Sequence, residues 1–245
     1  MKITATIIAQ DEERNIARAI ESLRCCDEIL ILDSGSTDRT MELAAKLGAR
    51  VIEADWRGYA GQKNRAAEQA THQWILSLDA DEALSEGLEA EIWNLKKAGP
   101  RFDAYTMPRL ARYLGRWIYH SGWYPDRKIR LYDRGKAKWV GDFVHESVTS
   151  EGRVGHLDSN ILHFTCDSLS EHLRTLDRYT TLAAQEVVAN KVPTPLWRLI
   201  VDPPWTFIKA YLFQRGFLDG FEGLIISYMS AFYTFLKYSK ARNMS

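Results

Sequence analysis

Two aspartates one residue apart, Asp79 and Asp81 in Leu78-Asp79-Ala80-Asp81-Glu82, directly follow an apolar run, Trp74 to Leu78. Carboxylates so arranged at a strand end can present oxygens to one Mg2+ or Mn2+, and such an ion bridges phosphate oxygens. The competing reading is that Asp81 and Glu82 cap a helix beginning at Ala83-Leu84. His163 follows the apolar pair Ile161-Leu162. It is either a third ligand, because a neutral imidazole suits Mn2+ beside two carboxylates, or a hydrogen-bonded core histidine. Arg127 and Arg130 could face phosphate, since a guanidinium donates to an oxyanion through two N–H groups at once.

These groups act together only if a frame brings strand ends to one place. Ile3 to Ala9 is a nearly continuous apolar run, the pattern of a parallel strand covered on both faces. Asp11 can cap a following helix, with Glu12 and Glu13 in its first turn and Ile16, Ile20 and Leu23 on one face. Ile29 to Leu32 is a second strand, ended by Asp33-Ser34-Gly35-Ser36-Thr37. Ser36 or Thr37 opens a helix that runs through Leu47 to Gly48, and Val51-Ile52 makes a third strand. Residues 61–71 read as helix and Trp74 to Leu78 as a fourth strand. Repeated βα units imply a parallel sheet with right-handed crossovers, whose ligands bind beyond the carboxyl ends of the strands. Asp33, Asp79 and Asp81 collect there. Gly99-Pro100 closes this first half, residues 1–100. Residues 101–166, rich in Trp, Tyr, Arg and short strand-like runs, form the second half of the same domain. Residues 167–245 read as helices interrupted at Pro193, Pro195 and Pro203-Pro204.

Charge narrows the partners. The 32 basic and 32 acidic side chains cancel, but residues 1–100 carry 12 and 18, residues 101–190 carry 13 and 11, and residues 191–245 carry 7 and 3. An acidic front end without basic stripes argues against nucleic acid. Cys25, Cys26 and Cys166 give neither a disulfide framework nor metal-ligand spacing. Met1-Lys2-Ile3-Thr4 runs straight into a strand without a signal peptide, so the expected location is cytoplasmic.

Thr6-Ile7-Ile8-Ala9-Gln10-Asp11-Glu12-Glu13 with Asn15-Ile16 resembles the strand-to-helix opening of family 2 glycosyltransferases. Leu32-Asp33-Ser34-Gly35-Ser36-Thr37-Asp38, Gly61-Gln62-Lys63-Asn64-Arg65 and Leu78-Asp79-Ala80-Asp81-Glu82 resemble their later motifs, in the same order. The one departure is Asp11, where the family usually has Asn. The resemblance implies the GT-A type: a Rossmann-like α/β, mostly parallel sheet with helices on both faces, here with a C-terminal helical appendage. It further implies nucleotide-sugar binding in which Ala9 and Glu12 line the nucleoside pocket and Asp33 contacts the base. Lys63 would lie near the phosphates, and Asp81, supported by Asp79, would hold Mg2+ or Mn2+. For Asp33 the chemistry agrees, since a carboxylate accepts a uracil N3–H well; the alternative is a turn-forming Asp before Ser-Gly. For Lys63 the alternative is a solvated helix face.

The second half is similar to the members that act in lipopolysaccharide core or other surface-glycan assembly, of β-1,4-glucosyltransferase type. The similarity lies in Arg127-Lys128-Ile129-Arg130-Leu131-Tyr132, Gly141-Asp142-Phe143-Val144-His145-Glu146 and Ile161-Leu162-His163-Phe164. It implies Glu146 as general base, the alternative being a surface Glu paired with an Arg, and a hexose passed from a nucleoside-diphosphate sugar of UDP-glucose type to an acceptor hydroxyl; His145 either orients Glu146 or is a hydrogen-bonded structural histidine. One base without a nucleophile pair implies a single displacement that inverts the anomeric centre. Arg127 and Arg130 could also meet the acceptor, and Trp117, Trp123 and Tyr124 could stack on its ring or simply pack. A nicotinamide dehydrogenase would need Gly-x-Gly-x-x-Gly where Ala9-Gln10-Asp11-Glu12-Glu13 stands. A nucleotidyltransferase would need a basic, Gly-rich first turn. A non-catalytic nucleotide-sugar-binding module would have no use for Asp79, Asp81 and Glu146 together. Finally, Phe221, Leu224, Ile225, Tyr228, Phe232 and Phe235 recur at helical spacing, followed by Lys237, Lys240 and Arg242, while Trp205, Phe207, Tyr211 and Phe213 lie on a Pro-initiated helix. Aromatics beside basic residues suit the inner face of the cytoplasmic membrane and a lipid-linked glycan acceptor; packing on the catalytic domain is the alternative.

Overall fold

The opening apolar run forms β1 (Ile3–Ala9), followed by α1 (Ile16–Glu21), β2 (Glu28–Asp33), α2 (Thr40–Lys46), β3 (Arg50–Glu53), α3 (Tyr59–Gln69) and β4 (Trp74–Asp79). Then come β5 (Glu82–Leu84), α4 (Glu86–Ala98), β6 (Ala104–Tyr113), β7 (Arg116–Ile118), β8 (Asp126–Asp133), β9 (Ala137–Val140), β10 (Ser147–Ser150), β11 (Val154–His156) and β12 (Ile161–Cys166). Helices α5 (Leu169–Ala189), α6 (Leu196–Ile208) and α7 (Gly220–Met244) complete the chain. The computed structural model describes residues 1–141 and 146–244. It divides into one unit of Met1–Arg109 with Asp126–His163, and a second of Leu110–Pro125 with the chain from Phe164 on. Residues 110–125 therefore group with the C-terminal helices, not with the second half of the first domain as the sequence suggested.

In the first unit the sheet order is β3-β2-β1-β4-β8-β6-β12-β5. The βα repeats give the parallel pairs β2–β3, β1–β2 and β1–β4. Beyond β4 the pairs β4–β8, β6–β8 and β5–β12 are antiparallel, and the short β11 adds a parallel pairing to β6. The sheet is thus mixed, with most of its parallel pairing at the front. Ile7, Ile31, Leu76 and Leu78 are fully buried within the main core, against Ile16, Ile20 and Leu23 of the first helical segment. Register sets the strand ends side by side: Ala9 is opposite Asp33, and Ile8 is opposite Asp79. At the other end of the sheet, Glu28 accepts from the Thr4 hydroxyl (2.6 Å), from the Thr71 amide (2.8 Å) and hydroxyl (2.9 Å), and from Arg50 (3.0 Å). Burial opposes ionisation there, but these donors outweigh it and hold the Glu28 carboxyl at about 2.

Three helix starts differ from the sequence expectation. Asp11 has φ +55°, the left-handed region that Asp tolerates, so it cannot serve as an N-cap. It instead accepts from the Thr37 amide at 2.7 Å, and α1 begins four residues later after Asn15. Helix α2 opens at Thr40, because the Ser36 hydroxyl donates to Asp33 and the Asp38 carboxylate takes the Thr40 amide. Ala83-Leu84 is strand β5, not helix; Ser85 caps the following α4 by accepting from the Leu88 amide.

In the second unit, α5 is capped by Ser168, and α6 starts after Pro195, whose φ of −66° is already suited to a helix start. Pro203 and Pro204 lie inside α6 and do not interrupt it. Each lacks an N–H, so the carbonyls of Leu199 and Ile200 lose their helical donors. A π-helical turn, Lys209–Phe213, follows. Helix α7 then passes so close to the preceding turn that a Cβ on Gly223 would lie 1.9 Å from the Gly216 carbonyl oxygen.

Candidate active site

The polar residues expected to do chemistry divide into three groups, all in the first unit. The first is the double loop at the ends of β1 and β2. The Ser34 amide donates to the Ala9 carbonyl (2.9 Å), and Ser36 and Thr40 hydroxyls accept from the Asp11 and Glu12 amides (2.9 and 2.7 Å). Asp33 organises its own turn. Its carboxylate is fully buried and accepts from the Gly35 amide (2.9 Å), the Ser36 amide (2.8 Å) and the Ser36 hydroxyl (2.5 Å). The structure therefore gives Asp33 the turn-forming role, with both oxygens engaged. The Glu12 carboxylate accepts from the Asn15 amide group at 2.9 Å. Burial pushes the Glu12 carboxyl up, Asn15 pulls it down, and nearby Asp81, Asp38 and Asp79 add to the rise.

The second group is built by three consecutive residues of α3. Gln62 donates to the Ser34 hydroxyl (2.9 Å), tying the helix to the β2 turn. Asn64 grips the backbone of Trp139 on β9, donating to its carbonyl and accepting from its amide, both at 2.9 Å. Between them Lys63, only 3% exposed, joins Asp79 Oδ1 (2.7 Å) to Glu146 Oε1 (3.1 Å) and lies 4.2 Å above the Trp139 ring. Lys63 is thus no solvated helix residue. It holds together the two carboxylates expected to bind the donor and to act as base. His145, named beside Glu146, lies outside the described residues.

The third group surrounds the Asp-x-Asp turn. Asp79 Oδ2 accepts from Arg130 at 2.8 Å, so each oxygen of Asp79 already faces a cation. Burial works against the charge, yet Arg130 and Lys63 hold the Asp79 carboxyl well below the usual range. Glu82, fully buried, accepts from the Asp79 amide (3.0 Å), from Arg130 (2.9 Å) and from Arg109 (3.4 Å). Glu82 and Arg130 clamp the turn from behind and leave Asp81 facing forward. The β5–β12 register pairs Glu82 with His163, which brings His163 Nε2 to 3.2 Å from Asp81 Oδ2.

That last pair is the part suited to a divalent ion. Adjacent ligands of an octahedral ion with bonds of about 2.1 Å are about 3 Å apart, close to the observed gap. Among the described residues no third His, Cys, Asp or Glu joins them. Two protein ligands with substrate phosphates and water are a usual complement for Mg2+ or Mn2+. Asp79, expected as a ligand, is committed to Lys63 and Arg130.

The acceptor residues named from sequence fall elsewhere. Arg130 is buried in the clamp just described, with Nε and Nη1 lacking acceptors among the described residues and the guanidinium 5.4 Å from the Trp139 ring. Arg127 donates to the Leu157 carbonyl and to Asp158, both at 3.1 Å, and so ties down a surface loop. In the second unit Trp123 packs edge-on against buried Tyr113 (5.5 Å), a core contact, while Tyr124 meets Tyr119 and Trp117 meets Phe164. Sequence reading missed Asn64, Glu82, Arg109 and Trp139. Asn64 and Glu82 lay inside quoted motifs, but their partners are distant in the chain.

Comparison with known proteins identifies the family and the fold. The family model described as Glycosyl transferase family 2 matches residues 4–148. The lipopolysaccharide core biosynthesis glycosyltransferase LpsC of Rhizobium meliloti is 33% identical over 98% of this chain and 92% of its own length. An uncharacterized glycosyltransferase of Rickettsia typhi is 32% identical over the whole of this chain and 88% of its own. Among solved structures, S. aureus TarS 1–349 in complex with UDP-GlcNAc has a TM-score of 0.51 at 13% identity, covering 99% of this chain and 90% of that one. The fold is therefore of the GT-A kind with a C-terminal helical part, and the chain belongs to glycosyltransferase family 2.

Proposed function

We propose that this glycosyltransferase moves a hexose, with inversion, from a nucleoside-diphosphate sugar of UDP-glucose type to a hydroxyl of a lipopolysaccharide core or related surface glycan, at the inner face of the cytoplasmic membrane. The observation that carries the reading is the join made by Lys63 between Asp79 and Glu146, beside the Asp81–His163 pair. The similarity to LpsC along nearly the full length of both chains supports the acceptor class.

In this mechanism the nucleoside lies over the Ala9–Glu12 loop. Asp33 acts indirectly, by fixing the Ser34–Ser36 backbone beneath the base. Asp81 and His163 would hold Mg2+ or Mn2+. When bound, the ion neutralises charge on the departing diphosphate. Glu146, with Oε1 fixed by Lys63, takes the acceptor proton through its other oxygen as the hydroxyl oxygen attacks the anomeric carbon. The bond from that carbon to the diphosphate oxygen breaks on the opposite face, which inverts the centre. Lys63 adds a fixed positive charge near the phosphates at no reorganisation cost.

The test is a panel of nucleotide sugars with Mg2+, Mn2+ or EDTA, read out as nucleoside-diphosphate release and as the anomeric configuration of the product. Expected is release from a UDP-hexose that needs metal and returns on adding it back after EDTA, with the product anomer opposite to the donor's. Full activity in EDTA overturns the metal role, and a retained anomer overturns the single displacement. Asp81→Asn should lower turnover by orders of magnitude with the fold intact; parental turnover would move the metal away from Asp81.

A further inference from the structure

Helix α6 carries Leu196, Trp197, Ile200, Val201, Trp205 and Ile208, and all six are exposed; no residue of this helix is buried. An amphipathic helix ordinarily turns such a face into its own core. Its half-buried side is mixed: Leu199, Pro203 and Phe207 share it with Arg198 and Asp202, which face each other at 3.9 Å, and with Thr206, whose hydroxyl meets that of Thr234 on α7 at 3.3 Å. Helix α7 repeats the inversion. Gly223, Ile226, Ser227 and Ala241 are its buried residues, while Phe221, Tyr228, Phe232 and Phe235 face out. Of 23 exposed large apolar side chains among the described residues, fourteen lie between 196 and 235, a stretch of 40 residues, so the exposure is concentrated well beyond chance scatter.

Charge identifies what covers this surface. The acidic groups of the stretch are turned inward or paired. Asp219 is buried and accepts from His120, Asp202 faces Arg198, and Glu222 is 4.0 Å from Arg116. Its cations, Lys209 in the π-helical turn and Arg215 just after it, are exposed. A second copy of the chain placed across a two-fold axis would set these like charges against each other. An anionic leaflet accepts both parts, apolar side chains below the headgroups and cations among them. Among the described residues no helix is long and apolar enough to cross a bilayer.

The structure assigns the outward faces of α6 and α7, with the turns between them, as a surface that seats in an anionic lipid leaflet without crossing it. This rests on the membrane-facing reading above and adds the elements and lipid chemistry. Each exposed cation near an anionic surface strengthens partitioning about five-fold, and removing three large apolar side chains weakens it about 100-fold or more.

The test is co-sedimentation of the full chain with phosphatidylcholine vesicles, alone or with about a third phosphatidylglycerol, at low and high salt. Expected is binding to the anionic vesicles that weakens with salt. Lys209→Gln with Arg215→Asn, the Asn chosen because it tolerates the left-handed backbone at 215, should reduce binding more than ten-fold. Trp197→Ser with Ile200→Ser and Trp205→Ser should abolish it. Circular dichroism and donor hydrolysis, which involve none of these residues, should remain parental. Binding unchanged in either variant, or indifference of the parent to anionic vesicles, overturns the assignment. So does light scattering that shows a parental dimer made monomeric by the Trp197 set, because a second copy would then be the occupant. Vesicle binding without donor hydrolysis would leave this surface standing and sink the transferase reading.

Discussion

Arg130 is the cation that Glu82 and Asp79 share, and replacing it with Met tests the clamp behind the Asp-x-Asp turn. The Arg130 side chain is 4% exposed and that of Glu82 is fully buried. Removing one member of a buried pair costs about 3–5 kcal/mol, because the remaining charge is stranded. Two features place this case at the lower end. Glu82 keeps Arg109 at 3.4 Å and Asp79 keeps Lys63 at 2.7 Å, and two guanidinium nitrogens of Arg130 already lack acceptors among the described residues. The expected loss is therefore about 3 kcal/mol, which for a chain of this length lowers Tm by about 6–12 °C. Urea unfolding monitored by tryptophan fluorescence measures it. Arg130→Met combined with Glu82→Gln should recover more than half of that loss, since no buried charge then lacks a partner. A single-variant cost below about 1 kcal/mol, or a double variant no better than the single, would refute the claim that these groups form one coupled network.

Three further outcomes follow from named contacts. Glu146→Gln should leave donor-nucleotide affinity near parental while lowering kcat by about 10²–10⁴-fold in a stopped transfer assay; a collapse of nucleotide binding would make Glu146 a ligand or a structural residue. The Glu28 clamp contributes stability above the ordinary carboxyl value of 4.5 and loses it as pH falls toward about 2. Glu28→Gln should therefore cost about 1–2 kcal/mol at neutral pH, after allowance for solvent at the sheet edge, and nothing near the acid limit. A pH-independent difference in urea midpoints would contradict this. Gly223→Ala should destabilise the second unit by at least about 1–3 kcal/mol, because its Cβ meets a backbone carbonyl that no side chain rotation can clear; an unchanged melting profile would show that α7 can shift.

What was readable in the sequence was local. Strands β1, β2 and β4 were found because a parallel strand covered on both faces is a continuous apolar run, and the polar residue that ends each run marks the carboxyl edge. Asp33, Asp79 and Asp81 follow from that edge, whereas Lys63 and Glu146 were named only through the family resemblance. The errors came where a polar side chain had two possible partners. Asp11 could have capped a helix, but Thr37, distant in the chain, competes for the same oxygen. Spacing alone also gave no sign of the separate neighbours of Asp79, Lys63 and Arg130, and of Asp81, His163. The pairing of β5 with β12 that positions His163 leaves no periodic trace in a three-residue strand. The inverted faces of α6 and α7 were half visible. The stripe from Phe221 to Phe235 was legible as a stripe, but only the burial of Gly223, Ser227 and Ala241 shows which way it points.

Helix α3 imposes a constraint of a different kind, on how this chain can change over generations. Gln62, Lys63 and Asn64 each reach a separate element, the β2 turn, the carboxylate pair and β9. Successive residues on a helix point about 100° apart, so those three directions are fixed relative to one another. A single insertion or deletion between Gly58 and Gln62 would rotate all three at once and lose every one of the contacts together. Length changes in this lineage should therefore be confined to connections that leave the phase of α3 untouched, such as the loop before Gly58 or the one after Gln69.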